Sequence, residues 1–239
     1  IFDDYALNPA RSWLQNYTPP TGYAPGKSQT LTFESLSCRP MKDAGKKPSS
    51  NVINAGGLVL KRTVEKIRIR YDLEQTLEDS TIEGSFVCRP DAFRTPLEWE
   101  LTAQPHYERE HRKLATLNYR GTVSKDGCHC QAGPLDQAVP LNHPASLFWN
   151  LLDAGEALQN LKQKQHFDLF WEGLTARPSQ TLENDGYTVL PGSKTPVKTV
   201  MLHGPAMMPQ HFLVTEEGVP LGVTGFLVSW MLTKVEELV

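Results

Sequence analysis

No run of this 239-residue chain reaches the roughly 20 consecutive apolar residues that a membrane-crossing helix needs. Its most apolar segment, Val219 to Leu232, is broken by Pro220, Gly222 and Gly225 and reads as strand, so no transmembrane segment is expected. A surplus of charge is missing as well, with 24 Lys and Arg against 27 Asp and Glu for a net charge of −3. Phosphate binding normally shows as a basic domain or stripe, so no nucleic-acid partner is expected. The dinucleotide signature G-x-G-x-x-G and the G-x-S-x-G elbow are both absent, and neither nucleotide cofactor nor serine hydrolase is signalled. Gly26-Lys27-Ser28 ends like a phosphate loop, but Thr21 stands where the first glycine is needed and a strand follows. No cofactor is expected.

Cysteine is scarce. Cys38, Cys88, Cys128 and Cys130 are an even set that allows two disulfides in three connectivities. Cys38-Arg39-Pro40 and Cys88-Arg89-Pro90 each end a strand pattern, so a Cys38–Cys88 bridge is plausible if the two ends share a rim within about 7 Å. The sequence opens Ile1-Phe2-Asp3 without an initiator methionine, and with the cysteines this leads to the expectation of a removed signal peptide and a periplasmic or secreted protein.

What is present is alternation. Residues 1–28, rich in proline and aromatics, read as an irregular arm with one helical turn after Asn8-Pro9. Within Leu58 to Leu77, Ile67, Ile69, Tyr71 and Leu73 alternate with Lys66, Arg68, Arg70, Asp72 and Glu74. Such a face-by-face split belongs to antiparallel sheet. Thr81–Cys88, Pro96–Ala103 and Lys113–Val123 continue it, the second with Trp99 inward and Glu98 and Glu100 outward. Residues 142–164 read as one helix, capped by Asn142 or His143 with Pro144 at its first position, and with Gly155 as a point of weakness that can split it into two pieces. Over 166–239 further strands end in a long hairpin, Gln210–Thr215 and Val219–Leu232 about a Glu216-Glu217-Gly218 turn. The fold expected is a single domain over 1–239, mainly β in the α+β sense. It is one large curved antiparallel sheet or flattened open barrel with one principal helix packed on it.

Candidate chemistry is sparse. His106, Glu108, Glu110 and His111 cluster, but histidines five apart do not make the i, i+4 pair of H-E-x-x-H. Cys128, His129 and Cys130, completed by His203 or His211, are the remaining metal geometry, and no metal is expected. Glu98, Glu100 and Glu172 each adjoin a tryptophan, which keeps a glycan-active hydrolase as the alternative function. A structural or assembly module of the cell envelope is a third possibility. The leading expectation is a non-enzymatic carrier of an apolar or amphipathic ligand, with Met207, Met208, Phe212 and Trp230 as the contact residues and no catalytic residue.

The Tyr187–Leu190 strand, the Val197–Leu202 strand and the Phe212–Val223 hairpin after the helix resemble exported bacterial proteins of uncharacterised function. In that group a curved sheet wraps a helix as in periplasmic lipoprotein carriers. The resemblance covers about the last hundred residues. It implies an envelope location and an apolar ligand, and carries over no catalytic residue.

Overall fold

The computed structural model describes residues 7, 10–40, 50–106, 115–171, 175–194, 196–225 and 228–238. The chain forms helix α1 (Arg11–Leu14), then strands β1 (Gln29–Pro40), β2 (Ser50–Val64), β3 (Ile69–Leu77), β4 (Ser80–Cys88), β5 (Pro96–Pro105), β6 (Leu117–Ser124), β7 (Gly127–Ala132), β8 (Leu135–Val139) and β9 (Ala145–Leu147). Helices α2 (Phe148–Leu152) and α3 (Gly155–Gln159) follow. The second half is β10 (Gln165–Trp171), β11 (Thr175–Val189), β12 (Pro196–Gly204), β13 (Met207–Val214), β14 (Pro220–Thr224) and β15 (Val228–Glu237).

All fifteen strands belong to one sheet, in the order β8-β7-β6-β5-β4-β3-β2-β1-β15-β14-β13-β12-β11-β10-β9. Two runs of strands therefore go outward from the β1–β15 pair at the centre, antiparallel as expected except at one edge, where β9 pairs with β10 in parallel across the two helices. Laid flat, fifteen strands would span roughly 65–70 Å at about 4.8 Å per spacing. The two edges are joined by residues 140–144 alone, and a connection of that length reaches at most about 20 Å. The sheet has to roll up. Its roll overlaps, because β9 lies against β5 and the Trp99 and Phe170 rings, on β5 and β10, sit 5.3 Å apart.

Burial follows the expected alternation where one face meets water. In β3, Ile69, Tyr71, Leu73 and Gln75 are buried and Arg70, Asp72 and Glu74 exposed. Ile67 departs from the pattern. It is 78% exposed and stands in the turn where Glu65 N donates to Arg68 O at 2.9 Å. Alternation is lost in β14, where every residue is buried, because both faces are covered. Leu7, Ala10 and Leu14 of the arm pack with Leu36, Leu213, Leu221 and Met231 in a second core. A strand buried on both faces reads as a continuous apolar run.

Two expected elements differ. The long closing hairpin is a three-stranded meander, since Val219–Leu232 folds back between β14 and β15 with Val223 opposite Trp230. The break falls after Thr224, where a Cβ on Gly225 would meet Val228 O at 2.8 Å. Gly218 has the expected positive φ, +80°.

In place of one principal helix over 142–164 there are a short strand and two helices of five residues each. The expected capping segment is held outside any helix by Asp168, whose Oδ2 accepts from Asn142 N and His143 N at 2.8 and 3.1 Å. The helix breaks at Asp153 (φ −110°, ψ 10°). Both helices still contribute to the main core, through Phe148, Trp149, Leu151, Leu152 and Leu158.

Candidate functional site

A buried ion pair stands at the helix break. Asp153 and Arg62 are fully buried and ion-paired. Arg62 occupies an inward position in β2, following Leu58 and Leu60 on the same face. Its Nε donates to Lys27 O at 2.9 Å, and its Nη2 to Ala24 O at 2.5 Å and Gln29 Oε1 at 2.8 Å. One guanidinium thus ties the arm to the sheet. Asp153 accepts from Tyr23 at 2.9 Å on Oδ1 and from Tyr71 at 2.6 Å on Oδ2. Burial, and then the Asp153 charge, push both phenols well above their ordinary range. Removing one partner of such a pair strands the other charge, at a cost of roughly 3–5 kcal/mol.

Over this network lies the β4–β5 loop, residues 89–95. Arg94 holds its shape from the left-handed region (φ +53°). Its Nη2 donates to Pro25 O at 3.1 Å, and its own carbonyl accepts from Asn150 Nδ2 at 2.5 Å. Two cavities flank the loop. One, of about 320 Å³, is lined by Asp91, Arg94, Asp153, Glu156 and Asn160, with Pro25 and Pro90 at its side. The other, of about 190 Å³, is lined by Phe93, Ala145, Leu151 and Phe167 among others. Asp91 and Ala92 belong to both. A hollow of mixed lining, charged at Asp91, Arg94, Asp153 and Glu156 and apolar at Ala154 and Ala157, and a mainly apolar one thus meet at a single loop.

The four expected contact residues lie elsewhere. Phe212, Val223 and Trp230 stand in one cross-strand row of the core, with the Phe212 ring 6.4 Å from that of Phe148. Met207 is half-buried against the core and Met208 exposed, at the β12–β13 hairpin tip where Gly204 pairs with Met207.

The Cys38–Cys88 bridge is not formed. Cys88 is a buried free thiol, and β2 and β3 stand between β1 and β4. Three strand spacings are about 14 Å, twice what a disulfide spans. The Cys38 side chain lies outside the described residues. Cys128 and Cys130 are buried free thiols with Sγ atoms 3.3 Å apart. His129 points to the opposite face, where its Nε2 meets Asp136 at 2.6 Å. His203 and His211 belong to the other half of the sheet, paired with Glu183 at 3.3 Å and Asp185 at 3.5 Å. Among the described residues no group of three His, Cys, Asp or Glu is placed to hold a metal. His106 meets Thr81 at 2.7 Å, while Glu108, Glu110, His111 and Glu172 lie outside the described residues.

Glu98 and Glu100 share the outer face of β5, beside an open depression of about 530 Å³ that Arg70 and Arg120 also line. Glu100 is engaged by Arg120 at 2.6 Å. Trp99 is turned inward, 3% exposed, so tryptophan and glutamates face opposite ways.

Sequence reasoning passed over Arg62, Asp153 and Arg94. A signal for the first was present, since an arginine in step with Leu58 and Leu60 has to be buried with a counter-charge. Nothing local marks Arg94 as the pivot of a loop.

Among the described residues no helix is long and apolar enough to cross a membrane. The architecture is a rolled, barrel-like open sheet. No family model matches the sequence, and no curated protein does. Of solved structures, the β-barrel-like protein of domain of unknown function DUF1849 from Brucella abortus is similar over 89% of this chain and 98% of its own, with a TM-score of 0.52 and 9% identity. A DUF1089 family protein from Pseudomonas aeruginosa is similar over 79% of this chain and 96% of its own, at a TM-score of 0.41 and 13% identity. The first likeness supports the barrel-like fold and nothing finer; the second carries no argument.

Proposed function

We propose that the protein is a non-enzymatic carrier that holds an amphipathic molecule across the 89–95 loop. The apolar part of the ligand lies by Phe93, Leu151 and Phe167, and its polar end by Asp91, Arg94, Glu156 and Asn160. The observation that carries this reading is the pair of cavities of unlike character that share Asp91 and Ala92. Ligand sites of this kind combine an apolar lining with a few placed polar groups. With Asp153 neutralised by Arg62, the larger hollow carries two carboxylates against one guanidinium, which favours a head group bearing an amine. The cell envelope is the proposed location, as the resemblance of the last hundred residues to exported bacterial proteins implies.

Native mass spectrometry of protein purified gently from its own host tests this, set against the same sample denatured. The expected result is a discrete added mass that leaves on denaturation. Ala92→Trp, at an exposed position bordering both cavities, is expected to lose that mass while keeping the melting temperature of wild-type protein stripped of its ligand. A bare wild-type mass, or an adduct that Ala92→Trp retains, overturns the assignment.

A further inference from the structure

We infer that Cys128 and Cys130 form a reversible redox site, closing to a disulfide within one strand by exchange with a small-molecule disulfide and reopening on reduction. This inference does not rest on the proposed carrier function. Both thiols project from the same face of β7, 2% and 5% exposed, with their sulfurs 3.3 Å apart. No other described cysteine competes for either. Cys88 lies on β4, with β5 and β6 between it and β7, about 14 Å away at the usual strand spacing.

The site is buried yet close to solvent. β8, the outermost strand at that side of the sheet, pairs Gln137 with Cys130 and Val139 with Cys128. Residues Leu135 to Ala138 are exposed whichever face they point to. A small disulfide therefore has to pass only one strand at an open edge. Either thiol can donate to the other across the 3.3 Å contact. With Cys128 as the donor, that contact holds Cys130 below the ordinary thiol range and, with burial, pushes Cys128 up, so Cys130 attacks first.

In the exchange the Cys130 thiolate attacks one sulfur of a disulfide such as oxidised glutathione, breaking its S–S bond and expelling one glutathione thiolate. Cys128 then loses its proton to that departing thiolate or to water, attacks the Cys130 sulfur of the mixed disulfide, and expels the second glutathione. Two protein thiols and one glutathione disulfide become one protein disulfide and two glutathiones, a two-electron transfer.

Strand geometry makes the closed form reducible. Residues i and i+2 of an extended strand have Cα atoms roughly 6.6 Å apart, near the upper limit of the about 4.4–6.8 Å that disulfides span. Closure draws β7 in at two of the five residues that pair with β8, so oxidation loosens the edge strand. Strained disulfides are the labile and regulatory ones.

The test equilibrates the intact folded protein with glutathione at graded ratios, quenches in acid, alkylates under denaturing conditions and digests with trypsin. Peptide 126–162 contains Cys128 and Cys130 and no other cysteine. Expected is a graded conversion of this peptide from doubly alkylated to unalkylated and lighter by two hydrogens, reversed by excess reduced glutathione. Amide exchange across 135–139 should quicken severalfold in the oxidised protein. Cys130→Ser should abolish the two-hydrogen loss, leaving at most one glutathione on Cys128, while Cys88→Ser leaves the titration unchanged. Double alkylation at every ratio, a lasting glutathione adduct on the wild type, or a bridge to Cys38 or Cys88 overturns the site.

Discussion

Asp153 and Arg62 are the residues at which the arm, the sheet and the helix break meet. Their phenolic neighbours make the fold sensitive to alkali. Burial holds Tyr17, Tyr23 and Tyr71 above the ordinary phenol range, and the Asp153 charge adds to this for the last two. The folded chain keeps these protons after the unfolded chain has begun to lose its own near pH 10. Their contribution is thus fully present below about pH 10 and is lost as the pH climbs through the folded values, by about 1.4 kcal/mol per pH unit for each group. Urea midpoints measured from pH 9 to 11.5 are expected to fall steadily above 10, and Tyr71→Phe to flatten that decline by one group's share. A midpoint independent of pH across this window would contradict the buried network.

Among the elements, the short helices show tertiary contact overriding local preference. Gly155 opens α3, and helix propensity alone says that alanine there should stabilise by about 1 kcal/mol. The fold says the reverse. A Cβ at Gly155 would stand 2.2 Å from Gly218 O and 2.7 Å from Pro220 Cδ, inside van der Waals contact with the β13–β14 turn. Gly155→Ala is expected to destabilise by about 2 kcal/mol or more in urea unfolding, the usual result of overpacking a site that cannot move. A stabilised variant would place the turn elsewhere. α3 is anchored at its other end as well, where Lys198 Nζ donates to Gln159 O at 2.6 Å and Leu161 O at 2.9 Å.

The whole molecule is two runs of strands joined at their innermost strands, β1 with β15, and connected in sequence at their outermost. Residues 140–144 link strands that have no ladder between them, so cutting the chain there breaks no strand pairing. The long β1–β15 ladder, from Gln29 opposite Glu237 to Ser37 opposite Val228, would then hold the halves together. Fragments 1–141 and 142–239, produced in one cell, are expected to co-purify in equal amounts with the circular dichroism of the intact chain. Alone, each should be poorly soluble, with half a core and the exposed edge of β1 or β15. Independent folding of either fragment would show that the roll is not cooperative.

Period-two burial in β3 and β5 was legible in the sequence because it is local: a strand with one wet face has to alternate, and Trp99 inward with Glu98 outward followed from that alone. The glycine turn at 218 was legible for the same reason. The absence of a long apolar helical run likewise needed only composition. What lay beyond the sequence depends on residues far apart in the chain. Asp153 breaks the helix because it is held by Arg62, 91 positions away, and a stripe of leucines cannot report that partner. β14 is buried on both faces because an arm two hundred residues earlier covers it. The cavities lie where the 89–95 loop, the start of β9 and the helix break converge. Local periodicity determined which face of each strand is apolar; only the closing of the roll decided which strands are neighbours, and therefore where space, charge and thiols come together.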